Sequence, residues 1–160
     1  MLRVHIKNNH YRPDTFPNTA QGEKVFTITQ QRFDEASLNH PDVARELDLS
    51  IDWDTDQFEK HMASADVLVT WDLPTEGLAK VAPNLKWIHI IGAGVEHLAP
   101  MDWLPTEVVL TNNKGVHAKK GGEFGIMSIL MLHNHMPQLI HNQIEAKYDS
   151  LYSTPIAGKT

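Results

Sequence analysis

The residues best suited to chemistry form one short run, Gly92-Ala93-Gly94-Val95, which follows an apolar stretch at 85–91. A buried strand that breaks at glycine leaves backbone N–H groups without strand partners, and such groups can bind an anion. We therefore predict an anion site at Ala93, Gly94 and Val95. A plain tight turn joining two elements would account for the same residues, so the pattern leaves both interpretations open.

The spacing of the glycines argues against a dinucleotide pyrophosphate as the anion. The dinucleotide-binding fingerprint is G-x-G-x-x-G; here Gly92 and Gly94 supply its first two glycines and His97 occupies the third position. The fingerprint also requires an acidic residue about 20 positions further on, and the segment 110–112 contains none. A small carboxylate is the better match to this turn.

Two other candidate sites fail on spacing. Gly158-Lys159-Thr160 is similar to the end of a phosphate-binding P-loop, but Ser153 stands where that loop needs its first glycine. His133 and His135 are two residues apart, so on a helix they point about 200° away from each other. We therefore predict neither a nucleoside triphosphate site nor a metal site.

Composition narrows the class of protein. A chain of 160 residues suits a single domain with an appendage. Its net charge of −6 argues against a nucleic-acid partner, which requires a basic face. Cysteine is absent, so neither a disulfide framework nor a thiolate metal site is expected. No apolar run approaches the length needed to cross a membrane, and we expect a cytoplasmic protein without a membrane partner.

Alternating strand and helix patterns predict the scaffold that positions the turn. The predicted strands are 2–6, 25–29, 66–71, 85–91 and 108–111, and the predicted helices are 42–47, 58–65 and 74–81. This order favours an α/β fold with a flavodoxin-like, doubly wound, mostly parallel five-stranded sheet. Ligands of such sheets bind at the carboxyl ends of the strands, which here are Lys7-Asn8, Trp71-Asp72, Gly92-Ala93-Gly94 and Asn112-Asn113.

A long helix is predicted after the sheet, over 122–145. Phe124, Met127, Leu130 and Met131 recur at helical spacing, and Pro137 should kink the helix. This helix is longer than a crossover connection needs, so part of its apolar face should meet a partner domain or subunit. We therefore divide the chain into a domain at 1–117 and a crossing helix with linker at 118–160.

Several segments, taken in order, resemble the D-isomer-specific 2-hydroxyacid dehydrogenase family. Leu85-Lys86-Trp87-Ile88 and the later Ala93-Gly94-Val95-Glu96-His97-Leu98 are similar to that family's "L-K-W-I" and "A-G-V-D-x-L". Its "L-T-N-x-x-G", "A-E-F" and "L-x-G-K-T" segments resemble three further runs, which are Leu110-Thr111-Asn112-Asn113-Lys114-Gly115, Gly122-Glu123-Phe124 and Ala157-Gly158-Lys159-Thr160. The resemblance covers about 66–160, while 1–65 agrees only in pattern.

The resemblance implies an NAD(P)-dependent oxidoreductase that interconverts a 2-oxo acid and a D-2-hydroxy acid. This chain would be its substrate-binding domain, ending just before a nucleotide-binding domain that carries the catalytic residues. It implies that the N–H groups of Ala93, Gly94 and Val95 bind the substrate carboxylate, and that Trp71 and Gly92 line the substrate pocket.

The same resemblance implies a hinge at Asn112 and Gly115, a missing nucleotide-binding domain as partner, and a homodimer. The parent enzyme would use NAD or NADP, whereas this chain alone should bind neither cofactor and should be inactive. Two other classes stay open: a stand-alone module that binds small carboxylates, and a non-catalytic flavodoxin-like regulatory domain.

Overall fold

The computed structural model describes residues 1–158, so Lys159 and Thr160, which belong to the last resembling segment, lie outside the described part of the chain. Its strands are β1 (Leu2–Asn8), β2 (Leu47–Trp53), β3 (Val67–Thr70), β4 (Trp87–Ile90) and β5 (Val109–Asn112). Its α-helices are α1 (Ala20–Phe26), α2 (Gln30–Ser37), α3 (Pro41–Ala44), α4 (Phe58–Met62), α5 (Leu78–Val81), α6 (Ala118–His133) and α7 (Met136–Ile144). Two short 3₁₀ turns, Glu96–Leu98 and Met101–Trp103, lie between β4 and β5.

The five strands form one parallel sheet in the order β2-β1-β3-β4-β5. This is the flavodoxin-like order of a doubly wound fold, so the predicted fold class is confirmed. The order reverses between β1 and β3, where Val4 pairs with Val67 and Lys7 with Thr70. A reversal of this kind opens a crevice at the carboxyl ends of the two strands.

Helices pack against both faces of this sheet. On one face, Met62 of α4 and Leu78 of α5 pack with Leu68, Ile88 and Ile90 of β3 and β4. On the other face, Phe33 packs with β1 and β3 residues that include Val4, Ile6 and Val67. Strand residues alternate between the faces, because successive side chains of a strand point in opposite directions.

The strand predicted at 25–29 is wrong. Residues Ala20–Phe26 form α1 instead, and Thr27 caps its carboxyl end. The side chain of Thr19 accepts from Gly22 N at the start of this helix, and Thr29 accepts from Arg32 N to begin α2. Two such N-caps within ten residues outweigh the β-propensity of the intervening Val-Phe-Thr-Ile-Thr run.

The strand that completes the sheet is β2, whose first residue, Leu47, the prediction placed in a helix at 42–47 and whose other residues it left unassigned. Its apolar residues alternate with polar ones, as in Leu47, Leu49 and Ile51. That alternation is the mark of a half-buried edge strand, and the register of β2 with β1 runs from Leu2↔Leu47 to Asn8↔Trp53.

Two predicted helices are shorter than expected. The helix predicted at 58–65 spans only Phe58–Met62, and the one predicted at 74–81 spans only Leu78–Val81. Gly77 precedes the second with a left-handed φ of 68°. A residue in that conformation cannot continue a right-handed helix, so the turn before Gly77 stays outside α5.

The single helix predicted at 122–145 is also wrong, because two helices occupy this region. His135 has a left-handed φ of 55° between α6 and α7. Pro137 lies in the first turn of α7, where its missing N–H costs nothing. The chain therefore breaks completely before the proline, where we predicted only a kink.

Contacts divide the chain into two compact units, Met1–Lys114 and a second that begins at Gly115. The first contains the whole sheet, and the second contains α6 and α7. Within residues 1–158, no helix is long and apolar enough to cross a membrane.

Large apolar side chains remain exposed on α6 and α7. The exposed residues are Phe124, Ile126, Met127, Ile129, Leu130, Leu132, Met136, Leu139, Ile140 and Ile144. A contiguous apolar surface exposed in this way commonly marks a face that packs against another protein surface.

Candidate functional site

The predicted anion turn lies at the carboxyl end of β4, next to the carboxyl end of β3. Ile91 N donates to Thr70 O at 2.9 Å, which joins the two strand ends. Beyond Ile91 the chain leaves the sheet and enters the 3₁₀ turn at Glu96, with residues 92–95 half-buried. The turn therefore sits where an open parallel sheet places its ligands.

The backbone of this turn contains N–H donors without hydrogen-bond acceptors among residues 1–158. Within residues 1–158, no backbone carbonyl accepts from the N–H groups of Ala93, Gly94 or Val95. On either side of the turn, Ile91 N donates to Thr70 O at 2.9 Å and Leu98 N donates to Val95 O at 3.0 Å. Three consecutive free N–H groups are a suitable partner for a small oxyanion.

Two asparagines at the carboxyl end of β5 hold this turn by hydrogen bonds to its carbonyls. Asn112 Nδ2 donates to Ala93 O at 2.9 Å, and Asn113 Nδ2 donates to Ile91 O at the same distance. Asn113 N also donates to Gly92 O at 2.9 Å. Because these bonds hold the carbonyls of Ile91, Gly92 and Ala93, the end of β5 restrains the backbone of the turn. We predicted Asn112 as a hinge residue, and the structure gives it this supporting contact.

Trp71 and Gly92 are in direct contact. The indole lies so close to the α-carbon of Gly92 that a Cβ at position 92 would overlap Cζ3 of the ring. The conformation of Gly92 does not itself require glycine, because its φ is not in the left-handed region. Gly92 is therefore needed for space, and it lets a tryptophan lie against the start of the anion turn.

Aromatic neighbours fix the indole of Trp71 in place. The His97 ring stacks on it with centroids 4.5 Å apart and planes within 2°, and the Phe16 ring lies 4.0 Å away at 29°. A ring nitrogen of His97 also pairs with the Trp71 carbonyl oxygen at 2.8 Å. Since a carbonyl can only accept, His97 Nε2 carries the proton in this contact.

This aromatic group forms one wall of a cavity of about 760 Å³. The cavity residues come from the loop after β1, the loop after β3 and the segment after the anion turn. They are Thr15, Phe16, Trp71, Asp72, Leu73, Thr75, His97, Leu98, Ala99, Pro100, Asp102 and Trp103. The volume is in the range of small-molecule sites.

The position of the Glu96 side chain against the turn could not be predicted from the sequence. Its carboxylate lies against the α-carbon of Gly94, where a Cβ on Gly94 would overlap Oε2. A dinucleotide pyrophosphate placed here would meet this negative charge, and His97 stands where the fingerprint requires a third glycine. The residues present therefore do not fit a dinucleotide at this turn.

A second polar group missed by sequence reasoning lies at the β1/β3 reversal. The side chain of Lys7 is almost fully buried, and its Nζ donates to Asp72 Oδ1 at 2.7 Å and to Asn9 Oδ1 at 2.6 Å. Asn9 Nδ2 donates to the same Asp72 oxygen at 2.9 Å. The sequence places Lys7 and Asp72 at the ligand-binding edge of the predicted sheet, but it does not show that the two side chains pair.

His5, two residues before Lys7, is buried within the same strand. Burial, together with the nearby His61 ring, lowers the pKa of His5 from 6.5 to about 4. The His61 ring stacks on it at a centroid distance of 4.8 Å, and Ser50 Oγ pairs with its Nδ1 at 2.9 Å. His5 is therefore neutral at physiological pH.

Gly115, the other predicted hinge residue, has a left-handed φ of 92° and begins the second compact unit. A Cβ there would meet no neighbouring atom, so backbone conformation alone favours glycine at this position. The structure brings Trp71, Gly92, Ala93 and Asn112 together and places Gly115 at the boundary. Among residues 1–158, no group of three potential His or carboxylate ligands is arranged to hold a metal ion.

Comparison with known proteins yields fold neighbours only. No protein-family model and no curated protein matches the chain. It superposes on a D-isomer specific 2-hydroxyacid dehydrogenase family protein from Aeromonas salmonicida with a TM-score of 0.61 and 20% identity, covering 99% of this chain and 44% of that one.

The second neighbour is an NAD-dependent formate dehydrogenase from Staphylococcus aureus, crystallised in complex with NAD. The TM-score is 0.50 at 16% identity, covering 92% of this chain and 43% of that one. The chain thus spans less than half the length of either neighbour. At these identities the likeness shows a shared α/β fold.

Proposed function

We propose that this chain is the substrate-binding part of an NAD(P)-dependent D-2-hydroxyacid dehydrogenase, which interconverts a 2-oxo acid and a 2-hydroxy acid. The observation that carries the proposal is the turn at 93–95. It presents three N–H groups without backbone partners, at the carboxyl edge of a parallel sheet and beside a ligand-sized cavity. The two fold neighbours are both dehydrogenases, which also supports the proposal of a dehydrogenase.

In this proposal the substrate carboxylate accepts hydrogen bonds from the N–H groups of Ala93, Gly94 and Val95. Trp71, resting on Gly92, walls the adjoining side of the pocket. Holding the carboxylate in a turn that Asn112 restrains by its hydrogen bond to Ala93 O sets the direction of the C2 atom. Orientation of this kind accelerates a reaction by removing rotational freedom before the chemical step.

The chemistry itself would need a nucleotide-binding domain, whose nicotinamide accepts or donates the hydride. We assign no catalytic residue to this chain. Gly115 would act as the hinge between the two domains, since its backbone conformation suits glycine and it begins the second compact unit. The exposed apolar side chains of α6 and α7 would pack in a homodimer or against the nucleotide-binding domain.

Titration of the ¹⁵N-labelled chain tests the carboxylate site. Pyruvate and glyoxylate should shift the amide signals of 93–95, whereas pyruvamide, which has the same shape without the charge, should not. Equal shifts from the acid and the amide would contradict the proposal. Calorimetry with NAD and NADP should give no measurable binding to this chain, and micromolar affinity would contradict its assignment as the substrate-binding part.

The coding sequence downstream of Thr160 separates the enzyme from the two alternatives. An in-frame strand followed by G-x-G-x-x-G would support the dehydrogenase. If the gene ends there and the acids still bind, the chain is a stand-alone carboxylate-binding module. If they do not bind, the regulatory domain without a ligand is the better description.

A further inference from the structure

The cavity beside Trp71 is much larger than the acids used above to test the carboxylate turn. Its volume of about 760 Å³ is suited to a ligand well beyond three carbon atoms. A pyruvate bound by the turn would leave most of this space to water. The side of the substrate that extends away from the carboxylate therefore has room for a large group.

The wall of this cavity is aromatic and held in one position. Trp71 is restrained by the stacked rings of Phe16 and His97 and by its contact with Gly92. Trp103 lies on the cavity as well, with its Nε1 donating to Leu98 O at 2.8 Å. Rings fixed before binding lose little conformational entropy when a flat apolar group packs against them.

The charges on the cavity disfavour a second anionic group on the substrate. Its two ionisable side chains other than His97 are Asp72 and Asp102, and neither Lys nor Arg is among its residues. Lys7 compensates one oxygen of Asp72, whereas Asp102 is exposed and has no salt bridge within residues 1–158. A dicarboxylate reaching into this space would meet uncompensated negative charge.

The cavity and the turn are contiguous in the chain. Trp71 touches Gly92, the residue before the turn, and His97 follows the turn by two residues. A ligand whose carboxylate is held at 93–95 can therefore direct its side chain along the indole into the cavity.

We propose that the substrate is a monocarboxylic 2-oxo or 2-hydroxy acid with a large aromatic side chain. This rests on the proposed function, because it takes the turn as the carboxylate site. The proposal adds the identity of the substrate side chain, which the carboxylate site does not specify.

A series of 2-hydroxy acids tests the proposal on the full 160-residue chain. D-3-phenyllactate should bind at least tenfold more tightly than D-lactate and should shift the indole N–H signal of Trp71. D-malate, which has a second carboxylate, should bind no better than D-lactate. D-3-phenyllactamide reports on the carboxylate separately, because it keeps the ring and lacks the charge.

A cavity-filling pair of variants locates the preference. Thr15 is exposed and lies on the cavity, while its neighbour Asp14 is exposed and does not. Thr15→Trp should abolish the preference for D-3-phenyllactate over D-lactate, and Asp14→Trp should keep it. Should Thr15→Trp fail to fold, the ligand series on the unmodified chain decides alone.

The outcomes separate the two proposals. If D-3-phenyllactate and D-lactate bind within twofold of each other, or D-malate binds best, the aromatic substrate is wrong and the carboxylate site stands. If the amide binds as tightly as D-3-phenyllactate, the carboxylate site is wrong, and the substrate class that rests on it is wrong too.

Discussion

The carboxylate of Glu96 lies against the α-carbon of Gly94, in the middle of the turn whose N–H groups are free. The turn thus combines donors that attract an anion with a charge that repels one. Glu96 is exposed, so its side chain can turn away from Gly94 when a ligand arrives. The affinity of the turn for carboxylates is set by the balance of these two features.

Replacing Glu96 by glutamine should strengthen binding of pyruvate to the turn. The gain should be about fivefold, because two unit charges about 4 Å apart in water repel by roughly 1 kcal/mol. Calorimetry or amide shifts measure the change. Glu107→Gln, which removes an exposed carboxylate that does not lie on the turn, should leave the affinity unaltered. Equal affinities of Glu96→Gln and the original chain would mean that Glu96 already lies clear of the bound anion.

Gly92→Ala and Gly94→Ala should differ although both add one methyl group. At position 92 the new Cβ meets the ring of Trp71, which is held by Phe16 and His97. Overpacking against a fixed ring costs about 1–3 kcal/mol, so the free energy of unfolding should fall and the near-ultraviolet dichroism of Trp71 should change.

At position 94 the new Cβ meets only the end of the flexible Glu96 side chain. That side chain can move, so Gly94→Ala should cost less than about 0.5 kcal/mol. Urea unfolding of the two variants gives the comparison. A Gly94→Ala variant as unstable as Gly92→Ala would show that the turn needs glycine for another reason.

Stability should decrease as the pH falls from 6.5 towards 4, and His5 should cause part of the decrease. The pKa of His5 is about 4 in the folded protein because of its burial and of His61, against 6.5 when unfolded. Between these values the unfolded chain binds a proton that the folded protein does not, so protonation favours unfolding. Each pH unit within this window costs up to about 1.4 kcal/mol.

Urea unfolding at several pH values checks this with a matched pair of variants. His5→Leu should flatten the pH dependence between 4 and 6.5. His40→Leu, which removes an exposed histidine whose side chain makes no capping hydrogen bond, should preserve it. An unchanged slope in His5→Leu would show that His5 is not the cause of this pH dependence.

The exposed apolar side chains of α6 should drive self-association of the chain. Met127 is 45% exposed and Phe124 62%, and apolar surface left in water costs about 25 cal/mol per Å². Met127→Glu combined with Met131→Glu should give a monomer by sedimentation, with an intact sheet by circular dichroism. Lys119→Glu combined with Gln143→Glu adds negative charge without removing apolar surface and should still associate. Loss of the sheet in the Met127/Met131 variant would show that these methionines are internal packing.

Four of the five strands could be predicted because their buried apolar runs are bounded by polar or turn residues. The fifth was misplaced, since Val25-Phe26-Thr27 has strand propensity but lies between the capping residues Thr19 and Thr29. Capping is a local hydrogen-bonding effect that propensity alone does not contain. The residues of β2 do alternate between apolar and polar, as a half-buried edge strand requires, but the prediction left most of this segment unassigned because it had already placed a second strand at 25–29.

The anion turn was visible in the sequence because glycine after an apolar run has a direct backbone consequence. The residues that surround the turn could not be predicted, because their positions depend on contacts between distant parts of the chain. Phe16 reaches Trp71 from the loop after β1, and Lys7 reaches Asp72 from the end of β1. No periodicity or spacing within either segment encodes these distances.

The interior position of β1, between β2 and β3, has a consequence for how the protein folds. Val4 pairs with Leu49 on one side and with Val67 on the other. Both pairings close long loops, whose entropy is lost before the hydrogen bonds form. During synthesis the first strand must therefore wait without a partner until β2, some 45 residues further along the chain, has left the ribosome. The helices after Gly115 contain mostly local contacts and can form as soon as they emerge, so the two compact units should acquire structure on different timescales.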